Sequence, residues 1–155
     1  MPITIRSPET EEECRHYYHL RWQLLRAPWG EPEGSEKDAL EPQSHHFIAV
    51  SDKQKAHTGI VGIARLQFNS REEAQIRYMA VIPAFQRMGT GSKLIAAMEK
   101  LAGEHQCQYI ALDARENAVA FYQALGYRIE TKSYLLFNEI QHYRMLKLIS
   151  DKHSK

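Results

Sequence analysis

Cysteine is scarce in this chain of 155 residues, with only Cys14 and Cys107. Two thiols so far apart make no disulfide framework and no paired metal clip, and they suit a reducing compartment. An excess of one charge is lacking too. The 20 basic and 19 acidic side chains leave a formal charge of +1, so no strong field exists to gather nucleic acid or an anionic membrane. Neither is expected as a partner. No apolar run is long enough to span a bilayer. The opening Met1-Pro2-Ile3-Thr4-Ile5-Arg6 alternates without the apolar stretch of a signal peptide. A cytoplasmic location is the expectation. Internal repeats and low-complexity blocks are absent. None of the eight histidines shows the H-x-x-x-H helix spacing, so no metal site is expected. What is present is enough apolar residue, 43%, for the core of one ordinary domain. Residues 1–150 are read as that domain and 151–155 as a frayed tail.

Along the chain, Thr10 and Glu13 have the spacing of a capping box. The apolar residues that follow predict a helix that Pro28 ends. Ala27–Gln43 holds Pro28, Gly30, Pro32, Gly34 and Pro42, which excludes a continuous helix or central strand. It reads as a long loop with a helical turn near Lys37–Leu40. Strands are predicted at Phe47–Val50, Gly59–Phe68 and Gln75–Val81. Leu94, Ile95, Met98, Leu101 and Ala102 share one face of a helix over Gly91–Ala102, with Gly103 at the place of a closing glycine. A strand at Tyr109–Leu112, a helix at Asn117–Leu125 closed by Gly126, and two long strands, Tyr127–Phe137 and Ile140–Leu148, complete the order. The last two are joined by a turn at Asn138-Glu139. This alternation predicts a mixed α/β sheet with helices on its faces.

Gln86-Arg87-Met88-Gly89-Thr90-Gly91 follows a strand and opens a helix. Its glycines let a ligand approach the main chain, amides at a helix N-terminus cradle anions, and Arg87 adds positive charge. That is suitable chemistry for a pyrophosphate. A P-loop is excluded, because Ser92 separates Gly91 from Lys93. A dinucleotide fingerprint is excluded, because Leu94 stands where its third glycine belongs. Alone, the segment reads equally as a glycine-rich turn without a ligand.

The remaining pattern, Q-R-x-G-x-G, resembles the phosphate loop of the GNAT superfamily of N-acetyltransferases. Downstream, Asn117, Ala120, Phe121, Tyr122, Leu125, Gly126 and Tyr127 resemble the second signature of that family at slightly shortened spacing, with one helix and one strand between the two. The likeness is specific over Gly59–Tyr127. Leu24-Leu25-Arg26-Ala27-Pro28-Trp29-Gly30 resembles the openings of some small bacterial members.

The resemblance implies the GNAT fold: a mixed, mostly antiparallel sheet of about seven strands, helices on both faces, and a central parallel pair, Gln75–Val81 and Tyr109–Leu112, that splays apart. It implies acetyl-CoA as co-substrate, a primary amine as acceptor, and direct attack in a ternary complex. Met79, Ala80 and Val81 would run beside the thioester and pantetheine arm, with the Met79 N–H towards the thioester carbonyl. Gln86, Arg87, Met88, Gly89, Thr90, Gly91 and Ser92 would hold the pyrophosphate. Asn117 would contact the pantetheine arm or cap a helix. Tyr122 would be the general acid for the departing thiolate, against the alternative of a core aromatic. Gln75 stands at the position of the glutamate base of the histone-type branch and cannot be a base. Tyr78, His45, His46, Glu139 and His142 remain candidates by type, with His142 equally readable as a solvated strand residue. The alternative function is a non-catalytic acyl-CoA sensing domain. A homodimer through one of the two last strands is expected, because a sheet edge needs covering.

Overall fold

The computed structural model describes residues 3–54, 58–136 and 140–149. The turn expected at Asn138-Glu139, the candidate base Glu139 and the tail 151–155 lie outside them. Ten elements follow in order: β1 (Ile3–Arg6), α1 (Glu11–Leu25), β2 (His45–Ser51), β3 (Ile60–Phe68), β4 (Glu73–Val81), α2 (Thr90–Glu104), β5 (Tyr109–Arg115), α3 (Val119–Ala124), β6 (Arg128–Leu136) and β7 (Ile140–Leu148). The seven strands are ordered β1-β2-β3-β4-β5-β7-β6. The pairings β1–β2, β2–β3, β5–β7 and β6–β7 are antiparallel, and β4–β5 is parallel. This is the expected α/β architecture. The expected helical turn at Lys37–Leu40 is instead a pair of 3₁₀ turns, Ala27–Trp29 and Glu41–Gln43, each with its proline in the first turn. Proline is tolerated there because the missing N–H has no partner in that position anyway.

Two compact units divide the chain, residues 1–67 with 78–97, and residues 68–77 with 98–155. In the first, Thr10 caps α1 by accepting from the Glu13 N–H at 3.0 Å. Three glutamates in the first turn suit the helix dipole. The expected capping-box pair is in place at the helix start. The Glu13 carboxylate accepts from the Glu9 N–H and from Arg6, and the Arg6 guanidinium holds its carboxyl down at about 2. Tyr17, Leu20, Ile48, Ile60 and Ile63 form the core, with Tyr18, Leu24, Val50, Ala80 and Ile82 packed against it. Each such side chain contributes about 1.5–3 kcal/mol on burial.

In the second unit, β4 runs beside β5 from Glu73↔Tyr109 to Ile76↔Leu112. β7 is paired on both sides, with β5 and with β6. That corrects one expectation: Ile140–Leu148 is an interior strand and offers no edge, while β6 does. Glycine placement also differs from expectation. α2 runs through Gly103, and Gln106, at φ 63, takes the left-handed position after the helix. Bonds Gln106 N–H to Gly103 and Cys107 N–H to Ala102 close it, the Schellman arrangement. α3 ends the same way, and there Gly126 at φ 98 takes the position as expected.

Candidate active site

The phosphate-loop candidate lies wholly in the first unit. Beyond Val81, the Ile82 N–H donates to Val61 of β3 at 2.9 Å, and Pro83–Phe85 make a 3₁₀ turn. Gln86 to Gly89 are exposed. Arg87 at φ 64 and Gly89 at φ 83 are both left-handed, so the main chain is bent to present its amides. The Lys93 N–H donates to the Gly89 carbonyl at 3.0 Å and closes the first turn of α2. The amides of Thr90, Gly91 and Ser92 therefore have no acceptor within the helix. Together with the dipole they form an anion-binding terminus.

Two side chains of this segment face the protein. Gln86 donates through Nε2 to the Val81 carbonyl at 2.9 Å, and Thr90, which is buried, donates to the Phe85 carbonyl at 3.4 Å. Both are braces for the loop, and what they can offer an anion is their main-chain N–H. Gly62 sets the helix start from below. A Cβ there would meet Leu94 Cδ1 at 3.2 Å and Thr90 Cγ2 at 3.3 Å. Glycine on β3 thus lets the first turn of α2 sit close.

In the second unit, Tyr122 is 9% exposed, with the rings of Phe121 and Tyr127 edge-on at 5.0 and 6.0 Å. Burial pushes its phenol up to about 12, so it keeps its proton at neutral pH. Asn117 lies exposed in a 3₁₀ turn, Glu116–Ala118. The N-cap of α3 is Ala118 and no side chain caps it, which removes the capping alternative for Asn117. Gln75 accepts from Asn69 at 2.8 Å and donates to Asp113 at 3.4 Å. Its neighbour Glu73 accepts from Tyr109 at 2.9 Å and Arg144 at 2.8 Å. Burial alone would raise its carboxyl, but bonds from Asn69, Arg144 and Tyr109 hold it below the usual range. A carboxylate so held is a poor base. His142 is buried, so the solvated reading is corrected.

Sequence reading missed a cluster in the first unit. Arg21 and Arg65 are both 0% exposed. Arg21 Nη1 and Arg65 Nη1 each donate to Glu41 Oε2 at 2.7 Å, and Arg65 also bonds both Asp38 oxygens, at 2.8 and 3.1 Å. Against the opposing effect of burial, Arg65 holds the Asp38 carboxyl down at about 2. The signal was there: arginine inside the apolar run of β3, and on the apolar face of α1, demands buried carboxylates. His46 belongs to the same cluster. Nε2 faces the Glu41 carbonyl at 2.9 Å and must donate, and Nδ1 lies 2.7 Å from the Tyr17 hydroxyl, which also faces the Ala64 carbonyl at 3.1 Å. With both nitrogens engaged and its pKa lowered by burial, His46 is not a poised base. Among the described residues no three His, Cys, Asp or Glu side chains gather as a metal site, and no helix is long and apolar enough to cross a membrane.

The family model for acetyltransferases of the GNAT family matches residues 12–127. This chain belongs to the GNAT family. It is 27% identical over 139 residues to the uncharacterized N-acetyltransferase YjcF of Bacillus subtilis, covering 90% of this chain and 95% of that one. The fold is that of an aminoglycoside 6'-N-acetyltransferase complexed with coenzyme A (TM-score 0.77, 15% identity, 96% and 97% of the two chains). It is also that of the ribosomal-protein-S18-alanine N-acetyltransferase of Escherichia coli (TM-score 0.73, 21% identity, 96% and 95%). As a GNAT acetyltransferase the chain is an acyltransferase that draws on acetyl-CoA.

Proposed function

We propose that this GNAT protein acetylates a primary amine by direct attack of the amine nitrogen on the acetyl carbonyl carbon of bound acetyl-CoA. The C–N bond forms, the C–S bond breaks, the sulfur leaves as thiolate and the nitrogen gives up a proton. The observation that carries the reading is the loop Gln86–Gly91, whose left-handed bends and three open amides at the start of α2 suit a pyrophosphate. Met79, Ala80 and Val81 run beside the pantetheine arm and thioester, and the Met79 N–H stabilises the oxyanion. Asn117 contacts the arm.

Tyr122 serves the departing sulfur as acid. Its pKa of about 12 lies above that of a free thiol, ~8.5, so its first contribution is a hydrogen bond to the thiolate. Gln75 is no base and Glu73 and His46 are engaged, so the amine proton leaves through a water relay or through one of the other candidates, Tyr78, His45 or His142. Residues 1–150 act as one transferase domain, and the two free thiols fit the cytoplasm.

Calorimetric titration with acetyl-CoA, ATP and NAD tests the site, with acetyl-CoA expected to bind tightest. ATP or NAD binding tighter would refute it. Gly89→Asp should abolish acetyl-CoA binding and leave the fold intact. No atom lies within 4 Å of a Cβ placed at Gly89, so the carboxylate has room, but its φ of 83 disfavours any side chain, and the variant acts through both its charge and the altered bend. Free CoA release across amines then identifies the acceptor. An aminoglycoside and a peptide beginning with alanine belong in that panel, since the two structural neighbours carry those names.

A further inference from the structure

β4 departs from strand geometry at Tyr78, whose φ is 56. A non-glycine residue there is strained and persists only where its surroundings over-determine it. Three parts of the first unit converge on this side chain. From α1, the Arg21 guanidinium lies 4.4 Å from the ring centroid. From β3, that of Arg65 lies at 4.9 Å. From the loop, Asp38 accepts the phenol hydrogen at 3.2 Å and is itself bonded to Arg65. Arg26, just past α1, adds a third cation at 5.6 Å. Cations over an aromatic face attract it, more strongly where water is excluded, and both Arg21 and Arg65 are fully buried. Their Nε atoms have no partner, while their Nη atoms are held by Glu36, Glu41, Tyr17, Asp38 and Gln67, which fixes both guanidinium groups over the ring.

We infer that Tyr78 is a positioning residue, and that its clamped ring holds the bend that aims the N–H of the next residue, Met79, at the acetyl carbonyl. The inference rests on the acetyl-CoA reading given above. The bend and the donor are adjacent in the chain, so relaxing φ at 78 rotates the peptide that carries the Met79 N–H. Arg21, Arg65 and Asp38 act through Tyr78.

Two substitutions separate this from packing. Tyr78→Leu removes the clamp and keeps a side chain that disfavours positive φ. Tyr78→Gly removes more volume but accepts φ 56 without penalty. Positioning predicts that Leu loses roughly 10²–10³-fold in turnover, the scale of one lost oxyanion donor, and that Gly recovers at least about tenfold of it by the same scale. Packing predicts the reverse order, since glycine leaves the larger void. The second readout is the ratio of CoA to acetyl-CoA dissociation constants. The two ligands differ only at the acetyl group, so general damage cancels. The ratio should fall roughly 3–10-fold in Leu, the worth of one hydrogen bond, and stay near wild type in Gly.

Asp38→Asn, which keeps the shape of the side chain, should shift the ratio the same way by a smaller factor and serves if Leu does not fold. Gly falling below Leu overturns the clamp, as does an unchanged ratio and turnover in Leu or in Asp38→Asn. A wild type that binds neither CoA nor acetyl-CoA overturns the site reading and the clamp with it. A wild type that binds both, with no effect of these substitutions, overturns the clamp alone.

Discussion

Tyr122 is a protonated phenol at neutral pH, and burial lifts it further, to about 12, so Tyr122→Phe is a clean experiment. The ring and its contacts with Phe121 and Tyr127 survive and one oxygen is lost. Turnover should fall by roughly 10²–10⁴, with CoA affinity nearly unchanged. Full turnover at saturation would make Tyr122 a core residue. His46 gives the pH dependence of stability. Burial, outweighing the Glu41 carbonyl and carboxylate, holds its pKa below the ordinary ~6.5. A lowered folded pKa means the unfolded chain takes up the proton first as pH drops. The stabilisation is complete above ~6.5 and shrinks as pH falls from there to the folded pKa. Asp38 and Glu13 respond only lower, from the ordinary carboxylate range down to about 2. Urea titrations between pH 7 and 5 should therefore show a stability slope that is shallower in His46→Gln. Equal slopes would assign it elsewhere. At this scale Tyr122 stood out as a candidate in the sequence because it sits in a fixed local pattern. His46 was not, because what engages it, Tyr17 and Glu41, is set by the fold.

The elements show where local sequence speaks and where it is overruled. Gly126 announced the end of α3 because glycine is the residue best suited to a left-handed cap. Gly103 suggested the same for α2, yet the helix runs on and Gln106 takes the strained position. The packing of Ala102 and Cys107, both buried, outweighs the local preference. Gln106→Gly should therefore stabilise the protein by about 0.5–1 kcal/mol, read as a melting-temperature rise of about 1–4 °C. No rise would mean that the glutamine's own contacts offset the strain. Gly62 sends the opposite message. A Cβ added there would meet α2 side chains at 3.2–3.3 Å, so Gly62→Ala forces Leu94 or Thr90 aside. A loss of about 1–3 kcal/mol is expected, together with weaker acetyl-CoA binding, since Thr90 braces the loop. Nothing in a strand of apolar residues marked that glycine as a spacer for a helix thirty residues on.

For the molecule as a whole, element order and sheet type were legible, because hydrophobic period and turn residues alternate cleanly from β2 to α3. The lateral order of the last strands was not. Both read as long strands, and only pairing places β7 inside and β6 at the edge. The expected dimer therefore moves to β6, where Ile129 is 43% exposed. Ile129→Lys puts a charge on that edge and should convert a dimer into a monomer by light scattering, with an unchanged circular dichroism spectrum. A wild type that is monomeric at high concentration ends the idea. The buried arginines were legible only as an anomaly. Arg21 and Arg65 meet Asp38 and Glu41 across sequence gaps that no periodicity bridges.

The loop after β4 takes left-handed bends at Arg87 and Gly89, and a bond from Gln86 ties it to Val81. A cradle braced by the protein's own bonds needs little ordering by its guest. Stopped-flow mixing with CoA should then give one exponential phase whose rate rises linearly with ligand concentration. Loosening the brace, as in Gln86→Ala, should bend that line to a plateau, because the fraction of molecules in the receptive shape would come to govern arrival.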